Sequence, residues 1–350
     1  MGKFMKFGVV VAVMLCAAGA FASNFRAADQ VYVPAAGHIA SSRTFVSDVF
    51  ISNLEDDAVD VSVLFADASG IKPFKNLLTL APRERREIID FVGAPTSAGG
   101  LNLGVPPQNG VLGQLIFNAC KSGQDCTPDP TTGENPNFRN ISVETRIYSV
   151  DNANAASPAT SPSNGQLFSG LPWYSYVSSD SSSAGLDKVF ITGLRNTGGS
   201  GQSGTYRTNM GLVNASQFST TTLLLKLWDG KTATQLGSEK QVTLGPLQNS
   251  QTGIAAYFPG FTGVTATNAF VTVEQIPTST IPTSDAAANG CSNGCPAFFA
   301  YASVLDNATG DATTLEAQFL KRLTSTAINC IYNQVCKDAV PTLKRAVKHQ

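Results

Sequence analysis

Residues 45–53 read Phe-Val-Ser-Asp-Val-Phe-Ile-Ser-Asn, and a similar stretch returns at residues 206–214 as Tyr-Arg-Thr-Asn-Met-Gly-Leu-Val-Asn. Two further matches follow in the same order, residues 78–82 with 242–246 and residues 149–153 with 304–308. The members of the three pairs lie 161, 164 and 155 positions apart. Because this offset changes so little along most of the chain, the sequence predicts a duplicated domain.

Length and composition agree with two domains. The chain has 350 residues, enough for two units that each bury a core. The repeat is far longer than the period of a solenoid or propeller blade. Charged residues make up only 14% of the chain, against about 25% in typical soluble domains. Serine, threonine, asparagine and glycine fill the polar positions instead, which is typical of exported β proteins.

The hydrophobic pattern predicts strands. Val59, Val61, Val63 and Phe65 alternate with other residues, and the same two-residue period recurs along both halves of the chain. Glycine, proline, asparagine and aspartate separate these runs, and no helical period is sustained. We therefore expect an all-β protein of two tandem β-sandwich, immunoglobulin-like domains. The Cys…Trp…Cys arrangement of antibody domains is absent, so the term describes architecture only.

Composition shifts set the predicted boundaries. A serine-rich stretch separates the repeats, and a basic segment follows the second one; a short amphipathic helix after Pro341 fits its pattern. The predicted organisation is a signal peptide at 1–22, a first β-sandwich domain with its N-terminal segment at 23–177, a linker at 178–185, a second β-sandwich domain at 186–318 and a basic C-terminal tail at 319–350.

The N-terminus predicts export. Lys3 and Lys6 precede an apolar run over residues 7–20, and Ala20-Phe21-Ala22 offers a cleavage site before Ser23. The run is shorter than the roughly 18 to 20 residues that span a bilayer. We therefore expect a secreted or cell-surface protein with no membrane span in its mature chain. The net charge of −1 gives no reason to expect nucleic acid as a partner.

The cysteines agree with an oxidising compartment. Apart from Cys16 in the signal peptide, six cysteines fall into close pairs, and an even number in an exported chain favours disulfides. Their spacing is not that of a zinc site. The expected pairs are Cys120 with Cys126, Cys291 with Cys295, and Cys330 with Cys336.

Four segments carry a resemblance. They are residues 206–214, with Tyr-Arg-Thr-Asn and Leu-Val-Asn, residues 300–311, residues 32–38 and residues 165–168. Together they resemble a group of uncharacterised secreted bacterial proteins built from tandem immunoglobulin-like β-sandwich units. The resemblance covers nearly all of the mature chain and implies a fold, but no catalytic residues. The first repeat departs from the group's motif at Val46-Ser47-Asp48.

The scarcity of histidine argues against an enzyme. Ser-His-Asp and Cys-His catalysis both need a histidine inside the fold, and His349 is the penultimate residue. Only His38 could serve, and we interpret it as a turn or loop hydrogen-bonding residue. A hydrolase with a carboxylate pair is the less favoured alternative, because no glutamate stands out.

Two groups of residues are candidate ligand sites. Asp306, Asn307 and Asp311 place carboxylate and amide oxygens close together, as a Ca²⁺ site requires, but the same pattern also makes a tight turn, which we favour. Ca²⁺ is the one cofactor that the sequence leaves open. Trp173, Tyr174 and Tyr176 could stack on sugar rings or anchor a partner, whereas packing at the end of the first domain is the favoured interpretation.

These observations favour a non-catalytic extracellular or cell-surface module for binding or adhesion to a glycan or protein partner. The alternative is a self-associating structural subunit of a surface layer or fibre. In that alternative the segment around Val31 and Val33 would add as a strand to the open sheet edge of a neighbouring copy.

Overall fold

A computed structural model describes residues 27–41, 43–105, 110–129, 135–152, 164–175, 188–197, 205–217, 219–259, 266–276 and 297–319. The predicted signal peptide, the linker, residues 320–350 of the tail, Tyr176 and the cysteines at 291, 295, 330 and 336 lie outside these residues.

The described chain is almost entirely β, which confirms the predicted fold class. The first nine strands, called the first unit, are β1 (Gln30–Ala40), β2 (Thr44–Asn53), β3 (Val59–Asp67), β4 (Gly70–Leu80), β5 (Arg85–Ile88), β6 (Val111–Lys121), β7 (Ile141–Val150), β8 (Asn164–Ser169) and β9 (Leu171–Pro172). The next nine, the second unit, are β10 (Lys188–Asn196), β11 (Tyr206–Asn214), β12 (Thr221–Asp229), β13 (Lys240–Leu244), β14 (Asn249–Gly253), β15 (Ala266–Gln275), β16 (Phe298–Asp306), β17 (Ala312–Glu316) and β18 (Gln318–Phe319). One short helix, α1 (Ile254–Tyr257), follows β14.

Each unit contains two antiparallel layers, and the order of strands is the same in both. In the first unit, sheet 1a has the order β5-β2-β7-β8 and sheet 1b the order β4-β3-β6-β1-β9. In the second, sheet 2a has the order β14-β11-β16-β17 and sheet 2b the order β13-β12-β15-β10-β18. Strand β1 also joins the first two layers, because Ile39 and Ala40 pair with β2 beyond a bulge between Val33 and Ala36.

A separate core lies inside each unit. Alternate residues of each strand point to opposite faces of its sheet, so one parity fills the space between the layers. Val61, Val63 and Phe65 of β3 do so in the first unit. Leu223, Leu225 and Leu227 of β12 do so in the second. The alternation visible in the sequence therefore corresponds to the two sandwich cores.

A hydroxyl in the middle of the repeat fastens the two layers of each unit. Ser47 Oγ accepts the backbone N–H of Gly37 at 2.8 Å and donates to its carbonyl at 3.1 Å. Thr208 Oγ1 makes the same two contacts with Arg195, at 3.2 and 2.6 Å. Both hydroxyls join the central strand of one layer to the first strand of the other, which gives a physical reason for this shared feature of the repeat.

The asparagine that ends the repeat fastens a turn. Asn53 Nδ2 donates to the carbonyls of Asp57 and Ala81, both at 2.8 Å. Asn214 Nδ2 donates to those of Ser219, Leu244 and Gly245, at 2.6, 3.2 and 2.8 Å. These buried amides satisfy turn carbonyls that lie outside the strand ladders.

Proline turns follow at equivalent places. In the first unit Ala81 is followed by Pro82 and Arg83, and in the second Gly245 is followed by Pro246 and Leu247. The third residue has a positive φ in both turns, 58° at Arg83 and 51° at Leu247. The two turns therefore differ in the side chain that they present rather than in the handedness of their backbone.

The third sequence match is displaced by two residues in the structure. Asp306 pairs with Tyr206, whereas Ser149, not Asp151, pairs with the equivalent Phe45. The shift keeps the same parity, so it leaves the buried and exposed faces of the two strands in agreement.

The two units pack face to face along an apolar seam. Its cluster includes Tyr32, Leu64 and Ile116 on the outer face of sheet 1b, and Phe299 and Tyr301 on the outer face of sheet 2a. The rings of Tyr32 and Phe299 lie 5.1 Å apart. The seam therefore stacks four layers in the order 1a, 1b, 2a and 2b.

A buried amide also crosses the seam. Gln114 Nε2 donates to the carbonyls of Asn214 and Leu247, at 3.2 and 2.6 Å. Because Gln114 belongs to the first unit and both carbonyls to the second, these bonds fix the relative position of the units as well as satisfying buried groups.

One of the three predicted disulfides lies within the described residues. The Cys120–Cys126 disulfide is formed, with the Cα atoms 6.0 Å apart. Within the described ranges, no helix is long and apolar enough to cross a membrane.

Candidate functional site: a cleft between the two units

Beyond the apolar seam, the end of sheet 1a and the outer face of sheet 2a leave a cleft of about 390 Å³ that is open to solvent. The wall from the first unit is formed by the ends of β2, β7 and β8, and the wall from the second by β11, β14, β16 and β17. The first wall comprises Arg43, Phe45, Ile147, Tyr148, Ser149, Gly165 and Gln166. The second comprises Arg207, Asn209, Gln251, Ser303, Leu305, Gly310 and Ala312.

Strand β8 joins the two walls. Ser303 Oγ donates to Gln166 Oε1 at 2.5 Å, and Thr314 Oγ1 donates to the Leu167 carbonyl at 2.9 Å. Next to these bonds, the Phe168 and Tyr301 rings meet edge to face with centroids 5.4 Å apart. The closed seam therefore continues into the polar cleft without a break, and the walls are held by contacts between the units.

The repeat differs between the units at the residues that reach the cleft. In the strand register, Arg207 and Asn209 of β11 correspond to Val46 and Asp48 of β2. Arg207 and Asn209 line the cleft, whereas Val46 is 0% and Asp48 2% exposed. Between them, Thr208 and Ser47 keep the structural hydroxyl. The second unit thus carries a polar wall that the first lacks at the same positions.

The charged residues of the cleft are arginines. Among the described lining residues there are two arginines and no aspartate or glutamate. Arg43 donates from Nε to Ser149 Oγ at 3.1 Å and forms an ion pair with Asp151 at the rim. Arg207 donates to the amide oxygen of Asn307. The lining therefore carries two positive and no negative side chains, with the Asp151 carboxylate at the rim, in a chain whose net charge is −1.

An exposed aromatic ring lines the same cleft. Phe45 is 44% exposed, although it belongs to a strand whose neighbouring residues are mostly buried. The wall also presents flat amide groups, from Gln166, Asn209 and Gln251. A cleft with a ring face, amides, hydroxyls and guanidinium groups can hydrogen-bond a hydroxylated ligand and stack on its apolar face.

A buried polar network supports the first wall. Asp48 Oδ1 accepts the Tyr148 hydroxyl and the Asp90 backbone N–H, both at 2.9 Å. Burial raises the pKa of the Asp48 carboxyl and outweighs these two hydrogen bonds and the nearby Arg146 charge, which lower it. Burial, together with the Asp48 charge, raises the pKa of the Tyr148 phenol well above its usual range, so this phenol stays protonated and donates. The network fixes Tyr148 at the edge of the cleft.

Asp48→Asn is expected to raise the free energy of unfolding at pH 7 by about 1 kcal/mol. Because the pKa of Asp48 is raised in the folded state, its contribution to stability is greatest at low pH and is lost as the pH rises through that pKa. Asparagine keeps an acceptor oxygen without the charge, and Asn209 occupies the equivalent position in the second unit. Urea unfolding at pH 4 and pH 8 checks this, since the advantage of the variant must grow with pH.

Asp125→Asn serves as the control of opposite sign. Asp125 is exposed, and hydrogen bonds from the Thr127 hydroxyl and backbone N–H lower its pKa. Its contribution to stability is therefore present at neutral pH and lost in acid. An Asp48→Asn variant that is less stable than the parent at pH 8 would contradict the account of the network.

His38 makes the loop hydrogen bond that the sequence predicts. Its Nδ1 lies 2.8 and 3.0 Å from the two carboxylate oxygens of Asp90, which also accepts the Gly93 backbone N–H at 3.2 Å. A Cβ on Gly93 would lie 2.4 Å from Asp90 and 2.5 Å from His38, so only glycine fits against this pair. The pair therefore fastens the loop after β5 to β1. That the protein is not an enzyme remains a prediction.

Trp173, the described side chain of the predicted aromatic patch, lies at the end of the first unit and is not among the lining residues of the cleft. Trp173 is half-buried, packs against both the first core and the seam, and donates its indole N–H to Asp29 at 3.1 Å. The side chain of Tyr174 and the whole of Tyr176 lie outside the described residues. These contacts agree with the favoured interpretation of Trp173 as a packing residue at the end of the first domain.

The candidate cation loop forms a turn. Asp306 Oδ1 accepts the Ala308 backbone N–H at 2.8 Å, and Asp311 N–H donates to Thr309 Oγ1 at 3.1 Å. Asn307 is engaged by Arg207 of the cleft wall. In the part of the chain that the structure describes, no three His, Cys, Asp or Glu side chains are grouped to hold a metal ion.

Sequence reasoning missed the cleft, although one signal for it was present. Most lining residues belong to ordinary strands, and nothing local marks them as a group. The exception is the repeat itself, where Arg207 and Asn209 replace an apolar and an acidic residue. This difference between two copies of one motif was the signal in the sequence that could have located part of the site.

Comparisons with known proteins leave the family open. No protein-family model matches the sequence, and no curated protein matches it. Among solved structures, the chain shows a similarity to the apo form of a Pleurotus ostreatus lectin, at 10% identity, covering 87% of this chain and 80% of that one. The TM-score is 0.17, which is too low to support an argument about fold or function.

Proposed function

We propose that this protein is a non-catalytic extracellular module that binds a glycan in the cleft between its two units. The proposal rests on one observation, the change from apolar to polar lining along the interface between the two units. The seam is apolar and closed around Tyr301, and it then opens into a polar cleft lined by arginine, amide and hydroxyl groups beside an exposed Phe45. An interface needed only for docking has no reason to open in this way.

The walls suit a glycan better than an extended peptide. Most of the lining residues belong to the interior strands β2, β7, β11 and β16, whose backbone groups are already paired in their ladders. A peptide that binds by strand addition needs a free sheet edge. The donors and acceptors that reach the cleft are side chains, which can match the scattered hydroxyls of a sugar.

Two other candidate functions are less well supported by the structure. Val31 and Val33 lie in a central strand, with Val31 paired to Phe117 on one side and to Pro172 on the other. They cannot add to a neighbouring copy without leaving their own sheet. A hydrolase of the carboxylate-pair type would need acidic residues in the cleft, and the described lining residues contain none.

The test is a screen of the secreted chain against an array of neutral and acidic oligosaccharides, followed by calorimetry on the hits. We expect Asn209→Leu to weaken binding at least about tenfold, because it removes the amide from the wall. Asn140→Ala, which alters an exposed asparagine bonded to Glu55 outside the cleft, is expected to bind as the parent does. Absence of any glycan binding, or equal loss in both variants, would overturn the proposal.

A further inference from the structure

We infer that the ligand of the cleft is an acidic oligosaccharide, with a carboxylate or sulfate group held by Arg207. The inference rests on the proposed function and adds the charge of the ligand to it. A guanidinium group presents a fork of N–H donors that fits a carboxylate or sulfate with two parallel hydrogen bonds. An anion in a cleft without acidic lining residues meets no like charge among the described side chains of the wall.

The two arginines are not equivalent. Arg43 is 41% exposed and already has a carboxylate partner, Asp151, which is 65% exposed. Asp151 therefore offsets part of its charge. Arg207 is bonded to a neutral amide oxygen of Asn307, which orients the guanidinium without offsetting its charge. Arg207 is thus the principal anchor, and Arg43 adds a weaker attraction from the opposite wall.

At this position of the repeat, the unit whose residue lines the cleft carries an arginine and the other unit does not. The equivalent of Arg207 in the first unit is the buried Val46. An arginine needed for the fold of the repeat would be required at both places, because both units have the same order of strands. The charge at position 207 therefore follows from facing the cleft rather than from the sandwich fold.

The remaining lining residues favour a saccharide over an acidic peptide. The exposed ring of Phe45 can stack on the apolar face of a pyranose. The side-chain amides of Gln166 and Gln251 add N–H donors for ring hydroxyls, while their oxygens already accept the Ser303 and Tyr301 hydroxyls. A simple acidic peptide would use the arginines and could accept from these amides, but it offers no apolar ring face for Phe45.

The closing experiment uses matched pairs of oligosaccharides, measured by calorimetry on the full secreted chain. The probes are oligogalacturonate with its methyl ester, hyaluronan hexasaccharide with its carboxyl-reduced form, and heparin hexasaccharide with its desulfated, carboxyl-reduced form. We expect at least one acidic member to bind tenfold or more tightly than its neutral counterpart. Arg207→Gln should remove that preference and Arg207→Lys should restore part of it, whereas Arg85→Gln, on the outer face of sheet 1a, should change nothing.

The outcomes separate the two proposals. Equal binding of acidic and neutral members, unchanged in Arg207→Gln, would overturn the charge inference and leave glycan binding in place. Binding of polyglutamate as tight as that of the best acidic saccharide would overturn the saccharide assignment. Binding of no saccharide, acidic or neutral, would overturn the proposed function as well.

Discussion

Leu247→Arg is expected to separate the two units. Leu247 is buried in the seam, and its carbonyl accepts the crossing hydrogen bond from Gln114. Replacing it removes a buried apolar side chain and forces a charge into the same space, a loss of about 3 kcal/mol or more in docking free energy. The turn itself can hold an arginine, since Arg83 occupies the equivalent place with a similar positive φ. Any loss of docking free energy in Leu247→Arg therefore comes from the seam and not from strain in the turn.

Calorimetry and small-angle scattering check this expectation. The parent should unfold in one transition, and the variant should show two transitions and a larger radius of gyration. The matched control is Arg83→Leu, which alters only an exposed ion pair with Asp56, worth about 0–1 kcal/mol. A variant that keeps the compact dimensions and the single transition would show that Leu247 does not hold the units together.

The same variant connects stability to function. Both walls of the cleft are positioned by docking, through the Gln166–Ser303 bond and the Phe168–Tyr301 contact. Leu247→Arg should therefore abolish ligand binding although it lies outside the cleft. In this sense the site belongs to the pair of units and not to either alone.

Asn214→Ala is expected to lower the free energy of unfolding by about 3 kcal/mol. The substitution leaves three carbonyl oxygens, those of Ser219, Leu244 and Gly245, without their buried amide donor. It also removes the acceptor of the Ser216 backbone N–H. Each buried group left unsatisfied costs about 1–3 kcal/mol, less whatever water can recover.

Asn214→Asp tests the amide donor specifically. The side chain keeps its shape but turns an oxygen toward the carbonyls, so burial and these acceptors favour the protonated carboxyl and raise its pKa in the folded state. The variant should therefore be most nearly normal in acid and lose stability as the pH rises. Urea unfolding at pH 4 and pH 8 measures this change.

Two controls bracket the result. Asn53→Ala, the equivalent change in the first unit, removes a donor to two carbonyls rather than three and should cost somewhat less. Asn140→Ala removes an exposed hydrogen bond and should change stability by less than about 0.5 kcal/mol. If Asn214→Ala lowers the free energy of unfolding no more than Asn140→Ala does, water replaces the buried amide and the prediction is wrong.

The outer faces of sheets 1a and 2a are equivalent in the two units but carry different side chains. The outer face of sheet 2a carries Phe299 and Tyr301 and is covered by the first unit. On the outer face of sheet 1a, Arg85 pairs with Glu144 and lies over the Phe50 ring. A contact between unlike faces could in principle propagate from copy to copy. The charges on sheet 1a oppose this, because further stacking would bury them.

Residues 45–53 and 206–214 show what the sequence by itself determined about this protein. Their alternation determined which residues face a sandwich core, because successive side chains of a strand point to opposite faces of its sheet. The bonds of the shared asparagine are less local, since Asn214 reaches the carbonyl of Gly245, 31 positions away. The sequence alone could not reveal that Leu247 is buried while Arg83 is exposed, or that Phe45 lies across a cleft from Arg207. Those features depend on which faces of the two units meet, and only the docked tertiary structure decides that, since the contacts join residues far apart in the chain and no local pattern encodes them.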